Sequence, residues 1–173
     1  ALCNTIVSKF PQIDVIVHNA AIALDSILEM KTEKTFKETF QVNTIAPFLI
    51  TKHLMKFLKK DASIIFVSST NAIDTYYQES IEYDASKAAL ISLAHNLATS
   101  LAPIRVNTIA PGWVDTKMNE TLTDEFKQKE INKILLKRFA KPEEIAKVIC
   151  FIASEATYVN DSIIRVDGGV NRC

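Results

Sequence analysis

Glycine is scarce in this chain, with only Gly112, Gly168 and Gly169 among 173 residues. None precedes residue 112, and they are not spaced as a glycine-rich turn that cradles phosphate, so that turn is excluded. Cysteine is as rare. Cys3, Cys150 and Cys173 are odd in number and far apart, with no C-x-x-C pair and no histidine cluster beside them. That pattern argues against a disulfide framework and a metal site, and it fits a reducing cytoplasm. Neither charge predominates: twenty basic and twenty acidic side chains cancel without a long run of one sign. Nucleic acid and anionic membrane surfaces are therefore not expected partners. Long apolar runs are missing too, since none approaches the roughly 20 residues of a bilayer span, and no basic-then-apolar leader opens the chain. The expected partner is a small molecule.

What is there suits one folded unit. A hydrophobic share of 48% and a charged share of 23% are ordinary for a globular domain, and residues 1–173 are expected to share one core. No repeat, low-complexity tract or linker divides them. Residues 1–10 lack an initiating Met and read as the end of an amphipathic helix, which suggests a segment upstream.

Four short apolar runs, 13–17, 63–67, 104–109 and 162–166, are continuous rather than alternating, as in strands covered on both faces. Between them apolar positions recur every three or four residues. Lys31 to Lys60 is expected to form one long helix, capped by Thr32 and bent or broken near Pro47. Ser80 to Ala102 forms a second, whose small residues Ala85, Ser86, Ala88, Ala89 and Ser92 allow close approach of a neighbour. Pro142 to Ser154 forms a third, with acids in its first turn. Residues 113–137 are polar with scattered apolar positions and read as a mobile lid over a pocket. The order β-α-β-α-β-lid-α-β predicts an α/β fold, a doubly wound parallel sheet with helices on both faces. Ligands of such sheets bind beyond the carboxyl ends of the strands.

Several polar groups fall at those ends. Asn19-Ala20-Ala21 follows the first strand, Ser68-Ser69-Thr70-Asn71 the second, and Pro111-Gly112 ends the third, since proline and glycine stop a ladder. Tyr83 and Lys87 stand four apart on the second helix and so share a face. A phenol titrates near 10, and a close ammonium would stabilise its phenolate and lower that value. With 4 Tyr and many Lys the spacing also arises by accident, so the pair gains weight only from its company. Asn43, one turn before Pro47, is either a surface group or one whose amide points into a site.

Asn19-Ala20-Ala21, Asn43, Ser69, Tyr83-x-x-x-Lys87 and Pro111-Gly112-x-x-x-Thr116 together resemble the short-chain dehydrogenase/reductase family. The likeness runs from about Asp14 to Gly169, through Pro142-Glu143-Glu144-Ile145-Ala146 and Val166-Asp167-Gly168-Gly169, and looks most like the 3-oxoacyl-(acyl-carrier-protein) reductases. It implies the C-terminal portion of a Rossmann-type domain. It also implies hydride transfer between NAD or NADP and the carbonyl of a small-molecule carbonyl or acyl thioester substrate. By the same resemblance Tyr83 exchanges the proton, Lys87 lowers its pKa and holds the nicotinamide ribose, Ser69 bonds the substrate oxygen, and Asn43 holds a water leading from Lys87 to solvent. Asn19, Ala20 and Ala21 would run past the adenosine ribose, with Ala21 in place of the usual glycine; Pro111, Gly112, Val114 and Thr116 would hold the nicotinamide carboxamide.

Counting back from Tyr83 by the family's usual spacing reaches Thr70, whereas the strand end reaches Ser69. The strand is the more rigid anchor, so Ser69 is preferred. The family's glycine-rich turn and its second strand, which selects NAD or NADP, have no counterpart here. Cofactor choice stays open, and the chain alone is expected to be inactive and to expose a sheet edge. A homodimer or homotetramer through the helices carrying Asn43 and Tyr83 is implied as well. The alternative is a non-catalytic module for oligomerisation or dinucleotide binding.

Overall fold

In the computed structural model, which describes residues 2–170, four parallel strands run in the order β1-β2-β3-β4. They are β1 (Ile13–His18), β2 (Leu58–Val67), β3 (Arg105–Pro111) and β4 (Ile163–Val166). Around them lie α1 (Leu2–Lys9), α2 (Glu33–Phe40), α3 (Ala46–Leu54), α4 (Ile81–Ser100), α5 (Asp124–Lys133) and α6 (Pro142–Ser154). Cys173 lies outside the described residues.

Alternation of side chains along β2 sorts the core into two layers. Ile64 and Phe66 join Ile16, Leu54, Leu90, Ala94, Ala98 and Val106, with α1, α3 and α4 on that face. Ile65 joins Ile109, Ile145, Ile152 and Ala156 on the α6 face. Each large aliphatic side chain gains about 1.5–3 kcal/mol on burial, which is why the run 64–67 of β2 sits at the centre and helices cover both faces of the sheet. Among the described residues no helix is long and apolar enough to cross a membrane.

Four details differ from the sequence-based expectation. β1 is not covered on both faces: Ile16 and His18 are buried, but Val15 and Val17 are 40% and 41% exposed. The reason is position, because β1 pairs only with β2 and forms the sheet edge. A groove of about 680 Å³ follows it, lined in part by Phe10, Val17, Pro47, Ile50 and Leu54.

The helix expected over 31–60 is three pieces. Thr32 does cap α2, its hydroxyl accepting from Thr35 N at 3.1 Å. A π-turn, Gln41–Ile45, then leads into α3, which carries Pro47 in its first turn and stops at Leu54. Pro47 has no N–H for the carbonyl four residues back, that of Asn43, and the wider π-turn absorbs the mismatch instead of a break. Leu58, Lys59 and Lys60 belong to β2, where the Lys59 ammonium meets Asp14 across the pair of strands.

β3 continues through Pro111. Thr108 and Gly112 donate to Ser162 and Val166 of the β4 side, so the alternation turns Pro111 toward β2, whose pairing has already ended at Ile109. Its missing N–H therefore costs no ladder bond. The segment read as a mobile lid is tied at both ends. Val114 bridges Ala140, Ile134 is buried, and the N–H groups of Leu135 and Leu136 donate to Gly169 and Gly168 at 3.0 and 3.1 Å.

Candidate active site

Parallel strands send all their carboxyl ends to one edge of the sheet, and the candidate residues collect there. β2 ends at Val67 and the chain turns at once into a short 3₁₀ helix, Thr70–Ala72, with Ser69 as its N-cap. α4 passes above this turn and carries Tyr83 in its first turn. The Ser69 side chain lies close enough to the Tyr83 phenol to pull its pKa down, while Thr70 is 3% exposed within the turn. Ser69 is thus the hydroxyl that meets Tyr83.

Burial outweighs the pull of Ser69 and pushes the Tyr83 phenol up to about 12, the Asp84 carboxylate adding to the rise. This corrects the expectation that Lys87 pulls Tyr83 down. The Lys87 ammonium lies 5.6 Å from the centroid of the Tyr83 ring and donates to the Val67 carbonyl at 2.7 Å. It faces the ring rather than the hydroxyl, and burial brings Lys87 itself down to about 8. At neutral pH the phenol is protonated, the state an acid needs.

Asn43 is fully buried in the π-turn. Its amide is spent on structure: Oδ1 accepts from Ile22 N at 2.9 Å, and Nδ2 donates to Ile22 O at 2.9 Å and to Ser86 Oγ at 3.0 Å. Asn43 therefore clamps the segment after β1 onto α4. Its main-chain carbonyl, which Pro47 cannot serve, is the part suited to another donor.

Asn19 and Ala20 are exposed at the end of β1, and Ala21 is half-buried. Ala21 is not among the residues with positive φ, so nothing in its backbone demands the glycine usual there. Pro111 is buried, Gly112 lies against Asp167, and the Val114 carbonyl accepts from Asn119 Nδ2 at 2.7 Å. Thr116 starts a one-turn helix, Lys117–Asn119, as its N-cap. Tyr77, Trp113, Phe126 and Phe139 form one aromatic cluster joining the loop after β2 to the segment 113–137 and the turn after it, with centroid separations of 5.4 Å for Tyr77–Phe126, 5.7 Å for Trp113–Phe126 and 5.5 Å for Trp113–Phe139. Aromatics so far apart in sequence carry no periodicity that would have marked them as one cluster.

The donor set fits one half of a nicotinamide dinucleotide. The Val67 carbonyl takes one of three N–H groups of Lys87, leaving donors beside Tyr83 for ribose hydroxyls. The phosphate half finds no cradle among the glycines, which pack on their own chain: a Cβ at Gly112, Gly168 or Gly169 would stand 2.9 Å from Asp167, Ile134 or Leu135.

Comparison with known proteins decides the family. A family model described as enoyl-(acyl carrier protein) reductase matches residues 1–171. The 3-oxoacyl-(acyl-carrier-protein) reductase of Thermotoga maritima is 36% identical over 169 residues, covering 95% of this chain and 69% of that protein. This chain belongs to the short-chain dehydrogenase/reductase family. The Aquifex aeolicus enzyme of the same name is 37% identical over 163 residues, covering 91% of this chain and 65% of its own length. Among solved family structures, a glucose/ribitol dehydrogenase-type member from Brucella melitensis superposes with a TM-score of 0.91 at 31% identity, over 96% of this chain and 69% of that one. An angucycline C-6 ketoreductase with bound NADP gives a TM-score of 0.87 at 27% identity, over 97% and 67%. The chain thus spans about two thirds of the length of its relatives.

Proposed function

We propose that the protein serves as an NAD(P)H-dependent carbonyl reductase acting on a 3-oxoacyl thioester, with Tyr83 as the proton donor. The observation that carries this reading is the Tyr83 phenol set between Ser69 at the end of β2 and the buried Lys87 ammonium, 5.6 Å from its ring centroid. The relatives named above as 3-oxoacyl-(acyl-carrier-protein) reductases support the substrate class. Bound reduced nicotinamide supplies the hydride. Ser69 and Tyr83 share the substrate oxygen as it gains charge, and Tyr83 delivers its proton there. Lys87 holds the ribose and returns a proton to Tyr83. The Asn43 main-chain carbonyl holds the water that connects Lys87 with solvent, while Asn19, Ala20, Ala21, Pro111, Gly112, Val114 and Thr116 line the cofactor path.

Residues 1–173 act as one domain in this reading. The exposed Ile45, Phe48 and Leu49, with Ala85, Ala88 and Ser92 exposed on α4, support a homodimer or homotetramer. Free thiols at Cys3 and Cys150 suit a reducing cytoplasm. The test follows oxidation of NADPH or NADH by the longest native form of the protein with a 3-oxoacyl thioester. Tyr83→Phe should remove turnover by about 10²–10⁴-fold, and Ser69→Ala should reduce it more than Thr70→Ala. Undiminished turnover in Tyr83→Phe overturns the mechanism; no turnover in the native protein favours the non-catalytic module.

A further inference from the structure

Asp84 follows Tyr83 on α4. It reaches across to the turn after β2. Asp84 Oδ1 accepts from Asn71 Nδ2 at 2.9 Å, and Oδ2 accepts from Tyr77 N at 3.4 Å. Asn71 in turn donates its main-chain N–H to Ser69 Oγ at 3.2 Å, and its Oδ1 accepts from Thr75 Oγ1 at 3.4 Å. The path Asp84–Asn71–Ser69 therefore returns to the hydroxyl beside the Tyr83 phenol. Tyr83 and Asp84 are fixed to each other by the helix, and Ser69 and Asn71 by one turn, so the Asp84–Asn71 bond joins the two pairs directly, beside the ties that Ser68 and Lys87 make between β2 and α4. We propose that Asp84 is a positioning residue, which with Asn71 holds the Ser69 hydroxyl in register with the Tyr83 phenol.

This inference rests on the catalytic reading of Ser69 and Tyr83. Its chemistry has a pH signature. A carboxylate offers acceptors to both Asn71 and Tyr77 N, whereas protonation turns one oxygen into a donor and leaves a single acceptor for two donors. Asp84 faces Asp25 and Glu82, and Glu82 is itself paired with Lys31 at 2.6 Å. Burial, with smaller contributions from those two acids, raises Asp84 to about 6 against the opposing pull of its hydrogen bonds. The register is then complete above that pH and loosens as pH falls through it.

Three variants and one spectrum test it. Asp84→Ala should lower kcat by about tenfold to a hundredfold with KM little changed, the scale of a misplaced reacting group. Asp84→Asn, which resembles the protonated acid, should hold kcat at its low-pH value and abolish the acid limb. The exchange Asn71→Asp with Asp84→Asn puts the carboxylate on the turn and the amide on the helix, so that every donor again meets an acceptor. It should recover kcat lost in Asp84→Asn. Wild-type kcat in Asp84→Ala, or an exchange no better than Asp84→Asn alone, overturns the inference. Independently of turnover, the side-chain amide resonance of Asn71 in native protein should move with an acid transition that Asp84→Asn removes. An unmoved resonance overturns the tether even where Tyr83→Phe upholds the catalytic reading, and a moving one upholds it even where no carbonyl substrate turns over.

Discussion

Lys87 is held between opposing demands. Only 2% of it is exposed, yet the role proposed for it requires a charged ammonium. Its pKa falls from 10.5 in the unfolded chain to about 8 in the folded one, through burial. The folded state therefore binds this proton more weakly, and the stability linked to Lys87 is present above 10.5 and lost as pH falls through about 8. The difference is at most on the order of 3 kcal/mol. Thermal unfolding followed between pH 8 and pH 10 should show a gain with rising pH in the native protein that Lys87→Met lacks; superimposable profiles would contradict it. His18 shows the same logic on the acid side. It stacks on Phe66 at 4.7 Å, bonds Thr51 Oγ1 at 2.8 Å, and burial lowers it to about 4, so it is a neutral core histidine rather than part of the site.

Among the elements, the lid depends on two glycines at the far end of the chain. Gly168 and Gly169 have φ of +65° and +77°, a region that strains other residues by about 1–2 kcal/mol. Their carbonyls accept from Leu136 and Leu135 at the lid's end. The neighbours differ. A Cβ on Gly168 would stand 2.9 Å from the Cγ2 of buried Ile134, whereas one on Gly169 would meet the Cδ1 of Leu135, which is 72% exposed and free to swing away. Gly168→Ala should therefore cost about 2–3 kcal/mol and Gly169→Ala about 1 kcal/mol in denaturant unfolding, overpacking adding to strain only at the former. Equal losses would show that the lid's end yields as a whole. Arg165 supports the same region from β4, reaching Asp74 at 2.6 Å and Asp167 at 2.9 Å.

For the whole molecule, the feature with most consequence is the open side of β1. Among the described residues no strand lies beside its outer edge, and the apolar groove along it presents Val15 and Val17. Such an edge templates association with another chain, and a charge placed on it is the usual deterrent. Residues 1–173 by themselves should self-associate as their concentration rises, by sedimentation velocity, and Val17→Lys should shift the distribution toward the monomer. A single monomeric species of residues 1–173 at all concentrations contradicts this. Association through α3 and α4 would persist in Val17→Lys, which separates the two surfaces.

Local signals alone located much of this protein. The apolar runs at 13–17 and 63–67 lie in strands, Thr32 caps its helix, Pro142 opens another, and Ser69, Tyr83 and Lys87 come together at the strand ends. Each of these rests on neighbours in sequence: periodicity, a capping hydroxyl, a fixed spacing of four. Tertiary structure decided the rest, because it depends on what lies across the fold. Burial set Tyr83 above 10 and Lys87 below it, reversing the tuning that their spacing suggests. The Ile22 loop and Ser86 claimed the Asn43 amide, and the place of β1 at the edge of the four described strands exposed residues whose composition suits a core. A spacing states which groups share a face. Only the packed chain determines how much water is removed from them and which partner reaches them first.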